Sequence, residues 1–301
     1  MFPIIPANSA ESFTQNDEGI FGYGENGGGN QSMTNLVSNV GVVATDVAGV
    51  GSVRYNPGAC EYGGDKGIFG YGYGPGSEMA SMTNLVSNTG VVSTDVAGVG
   101  TARTALAACE YGVDKGIFSY GSVVLTATNL VSNTGVVATD VAQVGTNRTD
   151  LGACEYGNDK GIFGYGATAG AGSEVAITNL VSNAGVIATD QAATTGTARK
   201  ALGACSYGED KGIFGFGTTG SATAITNLVS DAGVVASDQA ATTGTVRYKL
   251  EACEYGGDKG IFGFGYVALS MTNLVSNAGV VATDVAGVGT GRRAVGACSF
   301  N

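Results

Sequence analysis

The sequence predicts an all-β protein, and three observations support this fold class. The phrase CEYG-x-DKGIFGYG recurs with small changes from Cys60, Cys109, Cys154, Cys205 and Cys253. The first half of the phrase is small and apolar, the second half is β-branched and aromatic, and Gly, Asp and Lys lie between them. This is the pattern of two strands joined by a tight turn. The six cysteines lie 45 to 51 residues apart, with Cys298 the last. A period of this length with four short strand signals is typical of β-propeller blades, so the sequence predicts a six-bladed β-propeller.

The chain divides into an arm and a repeat region. Residues 1–17 match nothing later and contain two of the four prolines, so we expect an arm that is extended or packed on a neighbouring subunit. Its short apolar run lacks a basic start, so we do not expect a secretory signal. Residues 18–301 form the propeller, in six units of about 45–51 residues.

The unit around Cys109 illustrates the four strands expected in each blade. They are predicted over 105–111, 116–120, 128–132 and 135–140, and the last three are rich in β-branched and aromatic residues that suit a pleated, buried surface. Ala and Gly crowd the first strand, so we place it innermost, where six copies converge. A helix is the alternative for GVVATDVAGV, but its β-branched pairs and glycines disfavour it.

The repeat phrase is split between the two ends of the chain. The chain begins with a second strand, over 19–23, and ends with a first strand, over 295–300. One blade must therefore be assembled from both ends. We predict that the N- and C-terminal strands pair and close the ring without a free sheet edge.

The order of these motifs resembles the kelch repeat of kelch and galactose-oxidase-like propellers. Arg103, the Ile117–Phe118 pair and the Gly-Tyr-Gly at 70–72 occupy the corresponding places. The doubled glycine of kelch is GYG here, and the kelch Trp is missing from every unit. The near-identical units also look like repeats in uncharacterised phage and environmental-virus proteins, a resemblance that implies a virion component.

Strand direction sorts the connecting loops onto two faces. The loops that follow the second strand are 6 to 11 residues long and differ between units, whereas the turns on the other face are nearly uniform. Length variation costs little closure entropy and is compatible with recognition, although the same loops could be tolerated spacers. The candidate ligand-binding or partner-binding residues on this variable face are Glu25, Asn26, Asn30, Tyr73, Glu78, Met79, Glu174 and Tyr266.

Other polar residues recur in every unit and are expected to be structural, because an active site needs unlike groups placed asymmetrically. We expect hydrogen bonding between blades at Arg54, Arg103, Arg148, Arg199, Arg247 and Arg292 and at Asp46, Asp95, Asp140, Asp190, Asp238 and Asp284. The glutamates at 61, 110, 155 and 254 could ring the channel mouth, either simply solvated or holding a cation. The six cysteines are expected to be buried small hydrophobes, with disulfides or a metal as the alternatives.

Composition narrows the function. The chain has no His and a net charge of −11, which removes imidazole chemistry and disfavours nucleic acid, and no apolar run is long enough to span a membrane. We therefore expect no catalytic residues, no metal and no cofactor. The sequence favours a non-enzymatic structural or interaction module: a phage tail, fibre or decoration protein, assembled in the host cytoplasm and joined to other virion proteins through residues 1–17. An extracellular filament or surface protein, a carbohydrate-binding or receptor-binding propeller, and a glycoside hydrolase are the alternatives.

Overall fold

The computed structural model describes residues 16–76, 78–122, 127–169, 172–191, 196–239 and 244–301. Within these ranges the protein is all-β, with strands grouped into small antiparallel sheets of two to four strands and no helix. Residues 1–15, most of the predicted arm, lie outside the described residues. No helix in the described part of the chain is long and apolar enough to cross a membrane.

The strands are short, and a single three-strand pattern repeats along the chain. In order they are β1 (Glu18–Gly22), β2 (Glu25–Asn26), β3 (Gly29–Asn30), β4 (Thr34–Val37), β5 (Gly58–Tyr62), β6 (Lys66–Gly70), β7 (Thr83–Val86), β8 (Ala107–Tyr111), β9 (Lys115–Ser119), β10 (Ala127–Val131), β11 (Val141–Ala142), β12 (Gly152–Tyr156), β13 (Lys160–Gly164), β14 (Thr178–Val181), β15 (Gly203–Tyr207), β16 (Lys211–Gly215), β17 (Thr226–Val229), β18 (Glu251–Tyr255), β19 (Lys259–Gly263), β20 (Thr272–Val275) and β21 (Gly296–Phe300).

These strands form six principal sheets, which we number from the N-terminus. Sheet 1 has the order β21-β1-β4, and sheet 2 has the order β5-β6-β7. Sheet 3 is β8-β9-β10-β11, and sheets 4, 5 and 6 are β12-β13-β14, β15-β16-β17 and β18-β19-β20. Strands β2 and β3 form a separate hairpin in the loop after β1.

Sheet 1 combines the two ends of the chain, as predicted. Strand β1 pairs antiparallel with β21, from Glu18 opposite Phe300 to Gly22 opposite Gly296. The register matches the pairing of first and second strands in the other sheets, for example Tyr62 opposite Lys66. The pairing of the terminal strands is therefore confirmed.

The predicted fourth strand is mostly absent as a continuous ladder. Sheet 3 alone among the described sheets has a fourth strand, and it is β11 rather than 135–140. In sheet 1 the outer segment makes only isolated bridges, such as Val37 with Val43. The amide of Asn35 donates to the Ala44 carbonyl at 3.0 Å, so a side chain occupies a position that a ladder hydrogen bond would need.

Strand boundaries also shift by one or two residues from those predicted. Strand β8 begins at Ala107 rather than at 105, because Ala105 has a φ of 55°, which an extended strand cannot contain. Strand β9 ends at Ser119 because Tyr120 has a φ of 66°. Backbone geometry at these two residues is not visible in the strand pattern.

Backbone hydrogen bonds join the six sheets in a cycle at the turns between first and second strands. In sheets 2 to 6 the turn donates an N–H to a carbonyl in the next sheet. Sheet 1 has no such turn, and residues of the two chain ends, Asn301 as donor and Asp17 as acceptor, take its place. The six donor and acceptor pairs are Gly63 with Asp114, Gly112 with Asp159, Gly157 with Asp210, Gly208 with Asp258, Gly256 with Asp17 and Asn301 with Asp65, at 2.8 to 3.1 Å. The two junctions that sheet 1 makes, with sheets 6 and 2, are thus bonded like the other four.

The core lies between neighbouring sheets rather than within each sheet. One buried cluster contains Tyr62, Ile68 and Tyr71 of sheet 2 together with Leu106 and Phe118 of sheet 3. The equivalent cluster of sheets 6 and 1 contains residues from both ends of the chain. Each sheet therefore completes its core only through its neighbours.

Glycines on the second strands allow this close approach. A Cβ on Gly67 would lie 2.4 Å from Sγ of Cys298, and one on Gly70 would lie 2.9 Å from the Phe118 ring. The same contact between a cysteine and the glycine of the next sheet recurs at every junction, including Cys253 with Gly19. All six cysteines are unpaired and buried, where they act as small packing groups.

Candidate functional site

The six recurring arginines occupy the junctions between the sheets. All six are fully buried, and each guanidinium carbon lies 3.9 to 4.8 Å from the centroid of an aromatic ring in the preceding sheet. Arg54, for example, lies over Tyr23 of sheet 1 and donates to Oδ1 of Asn84 in sheet 2 at 2.6 Å. A buried cation held by two sheets at once fixes their relative position.

The recurring aspartates bind the segment that leads into each sheet. The hydroxyl of Ser52 donates to Asp95 at 2.7 Å, and threonine takes the place of this serine in the other five units, at 2.6 to 2.7 Å. Although partial burial opposes ionisation, hydrogen bonds from Ser52 and Asn84 hold the pKa of Asp95 below its ordinary value. The nearest arginine nitrogen is 3.9 Å away, so the short hydrogen bonds of this carboxylate come from serine and asparagine.

The variable face contains a cluster of tyrosines beside the junction of sheet 6 with sheet 1, the sheet that holds both chain ends. The rings of Tyr248 and Tyr266 stack with centroids 4.7 Å apart. The guanidinium of Arg293 lies 4.8 Å from the Tyr266 centroid, and its Nε donates to Glu25 at 2.5 Å. We call the group of Tyr55, Tyr73, Tyr248, Tyr266, Arg293, Glu25 and Asn30 the tyrosine cluster.

The second half of the tyrosine cluster lies on the sheet 2 side. The rings of Tyr55 and Tyr73 are 5.2 Å apart, and the Asn30 amide donates to the Tyr73 carbonyl at 3.2 Å. Burial, followed by the charge of Glu25, raises the pKa of Tyr55. All seven side chains are partly exposed, so the cluster is accessible to a ligand.

The structure therefore brings together four of the eight candidate residues predicted on the variable face: Glu25, Asn30, Tyr73 and Tyr266. Among the other four, Met79 makes a backbone bridge to Tyr73, and Asn26 lies in the same hairpin as Glu25 and Asn30. Asn26 accepts hydrogen bonds from Gly28 and Gln31, and Glu174 forms an ion pair with Lys200 at 2.9 Å. Glu78 and Met79 are exposed in the loop opposite Tyr73.

Three members of the tyrosine cluster were missed by sequence reasoning: Tyr55, Tyr248 and Arg293. Each follows one of the recurring arginines directly, at a position that is Thr or Lys in the other three units. The residue after each recurring arginine differs between units although the arginine itself does not. This difference is the signal that could have identified the position.

A second polar region lies at the opposite end of the sheets, around the turns that join first and second strands. The first strands of all six sheets line a narrow cavity of about 50 Å³. Its lining combines Ala, Gly and Cys with the side chains of Glu61, Glu110, Glu155, Glu251 and Glu254. Glu110, Glu155 and Glu254 also line a second, wider cavity of about 820 Å³ at the turn end of the sheets. We call this wider cavity the acidic mouth.

The glutamates of this region have pKa values above the ordinary value for this side chain. Burial, followed by the charge of Glu61, raises the pKa of Glu155 to about 8. Burial and the neighbouring carboxylates also raise the pKa of Glu110 and Glu254 well above the ordinary value. Burial also raises the pKa of Glu61, and a hydrogen bond from the Ser299 N–H to its Oε1, at 2.6 Å, opposes this rise.

Neither region has the geometry of an inorganic centre. Among the described residues, no group of three or more His, Cys, Asp or Glu side chains could hold a metal ion. In comparisons with known proteins, no family model and no curated protein matches this chain. The arrangement of the described side chains is therefore the basis for any functional conclusion.

Proposed function

We propose that this protein is a non-enzymatic interaction module, built as a six-bladed, kelch-like β-propeller that displays its variable face from a rigid ring. The cyclic hydrogen bonding of the six sheets, through the terminal junction, is the observation that supports this proposal. A ring in which each core is shared by two sheets resists local deformation, so its loops are held in fixed positions. Rigid display suits a subunit that is incorporated into a larger assembly.

The assembly we propose is a virion, in which the ring is a tail, fibre or decoration protein attached through residues 1–17. Antibodies raised against the purified protein test this directly by immunogold electron microscopy of particles from the virus stock or culture that encodes it. We expect gold on intact particles. Labelling confined to cell debris, with unlabelled particles, would refute the virion proposal and favour the filament or surface alternatives.

Carbohydrate binding is the second candidate function, and the tyrosine cluster favours it. Aromatic faces pack against the apolar faces of sugar rings, and Arg293, Glu25 and Asn30 supply donors and acceptors beside them. A glycan array should show binding that Tyr266→Ala abolishes. Val267→Ala is the matched control, because Val267 is the adjacent residue and 69% exposed. Equal binding by both variants, or no binding by the unmodified protein, would exclude this function.

A further inference from the structure

The acidic mouth has acceptors that lack donors. Glu110 is 8% exposed and Asn16 is 7% exposed, and both line the cavity. Oε1 of Glu110, Oε1 of Glu254 and Oδ1 of Asn16 are buried without a hydrogen-bond partner in the described part of the chain. A buried acceptor without a donor costs about 1–3 kcal/mol, and a charged one costs more. These three oxygens therefore point to a missing donor.

The lysines near the mouth do not supply this donor. In five turns the sequence Asp-Lys recurs, and each lysine forms an ion pair with the aspartate directly before it: Lys66, Lys115, Lys160, Lys211 and Lys259. The lysine charges are thus matched by the aspartates of the same turns. No lysine or arginine of the described residues forms an ion pair with Glu110 or Glu254.

The size of the cavity and the hydrogen-bond acceptors that line it indicate what could fill it. A volume of about 820 Å³ is in the range of sites for small organic ligands and far exceeds that of a single ion. The carboxylates are spread around this space rather than grouped to hold a metal, as noted above. A flexible cation with several separated ammonium groups would reach them individually.

We propose that the acidic mouth binds a linear polyamine, with ammonium groups donating to Glu110, Glu254 and Asn16 and the methylene chain lying across the cavity. This site lies at the end of the sheets opposite the tyrosine cluster and is independent of the function proposed for that cluster. An ammonium group carries three donors on a compact charge, so it can satisfy a carboxylate and an amide oxygen together. Neutralisation of the glutamates would also relieve their mutual repulsion.

Isothermal titration calorimetry of the full chain with spermidine tests the proposal. Glu110→Gln/Glu254→Gln keeps the shape of both side chains but removes both charges. We expect its affinity to fall by about tenfold or more, the loss that follows removal of a charge-assisted hydrogen bond. Glu174→Gln/Glu78→Gln is the matched control, because it removes the same total charge on the variable face, and its affinity should stay within about twofold of the unmodified protein.

Three results would overturn the proposal. One is the absence of spermidine binding by the unmodified protein. Another is an equal loss of affinity in the two double variants, which would indicate general charge attraction. The last is complete displacement of spermidine by equimolar Mg²⁺ or Ca²⁺, which would identify a metal site. Should Glu110→Gln/Glu254→Gln lack the far-UV circular dichroism of the parent, Glu155→Gln provides the same comparison against Glu174→Gln.

Discussion

Replacement of Arg292 by methionine tests the junction between the chain ends. Arg292 is fully buried between sheets 6 and 1, where its Nη2 donates to Oδ1 of Asn35 at 2.6 Å. Its Nη1 lies 3.6 Å from Asp46, and the guanidinium carbon lies 4.7 Å from the centroid of Phe264. Methionine preserves the apolar stem but removes the charge and every donor. Arg292→Met therefore removes an interaction between residues at opposite ends of the sequence.

The expected loss in the free energy of unfolding depends on the partners that Arg292→Met leaves without their arginine. Loss of one partner of a buried charged interaction costs about 3–5 kcal/mol. Asp46 keeps its hydrogen bonds from Thr290 and Asn35, so we expect the lower end of this range, about 3 kcal/mol. Arg293→Met is the matched control. The Arg293 side chain is 32% exposed, and its ion pair with Glu25 and its contact with Tyr266 together contribute about 2 kcal/mol or less.

Urea denaturation measures the difference. With 13 tyrosines and no tryptophan, the protein can be followed by tyrosine fluorescence and far-UV circular dichroism. The Arg292→Met midpoint should fall well below that of Arg293→Met at a similar m value. Arg148→Met, at the junction of sheets 3 and 4, should be destabilised about equally, because Arg148 donates to Asn179 at the same 2.6 Å. Destabilisation by Arg148→Met alone would refute a native junction between the ends.

Three further predictions concern packing, protonation and the thiols. Gly67→Ala should destabilise the protein by about 1–3 kcal/mol in urea melts, since its Cβ would lie 2.4 Å from Sγ of Cys298. Adding Cys298→Ala should restore part of this loss. Gly27→Ala, whose Cβ would meet nothing within 4 Å, should leave the stability unchanged. Because the pKa of Glu155 is raised to about 8, the folded state keeps a proton on this carboxyl that the unfolded state loses above about pH 4.3. The free energy of unfolding should therefore decrease as the pH rises from about 4.3 to 8. Urea melts of Glu155→Gln should show a weaker decrease. Burial raises the pKa of all six thiols, so a thiol reagent should label almost none in the native protein and all six in guanidinium chloride; rapid native labelling would contradict their burial.

The strands and the terminal pairing could be predicted because both depend on information local to the repeat. Alternating small and aromatic runs around a Gly-Asp-Lys turn specify a hairpin regardless of context. The phase of the repeat then shows that the first strand of one unit is supplied by the C-terminus. The pairing of Ile20 with Cys298 follows from that phase alone.

The outer strand was predicted less well because side chains compete with its backbone. Asn35 and its equivalents donate to the carbonyl that a ladder would use, and sequence patterns do not show which acceptor an amide selects. The same limit applies to the arginines. Arg54, Arg148 and Arg292 donate short hydrogen bonds to asparagine side chains. The aspartate nearest to Arg54 is 3.9 Å away, and the one nearest to Arg292 is 3.6 Å away.

The tyrosine cluster could not be predicted as a unit, because its members come from loops of three different sheets. Tyr248 and Tyr266 lie in loops beside sheet 6, Glu25 follows the first strand of the chain, and Tyr73 belongs to a loop of sheet 2. Their proximity depends on the pairing of the two chain ends in sheet 1. The repeat pattern of a single unit does not show which loops this pairing makes neighbours.

The tyrosine cluster is therefore linked to the terminal junction. Glu25 and Arg293 exchange two backbone hydrogen bonds and an ion pair, although they are near opposite ends of the chain. Arg292→Met and Arg148→Met should destabilise the protein equally, but only the first weakens the junction beneath the cluster. Fluorine NMR of fluorotyrosine-labelled protein, assigned with Tyr248→Phe and Tyr266→Phe, should show both resonances shifted in Arg292→Met and unchanged in Arg148→Met. Equal shifts in the two variants would show that the cluster responds to global stability and not to closure.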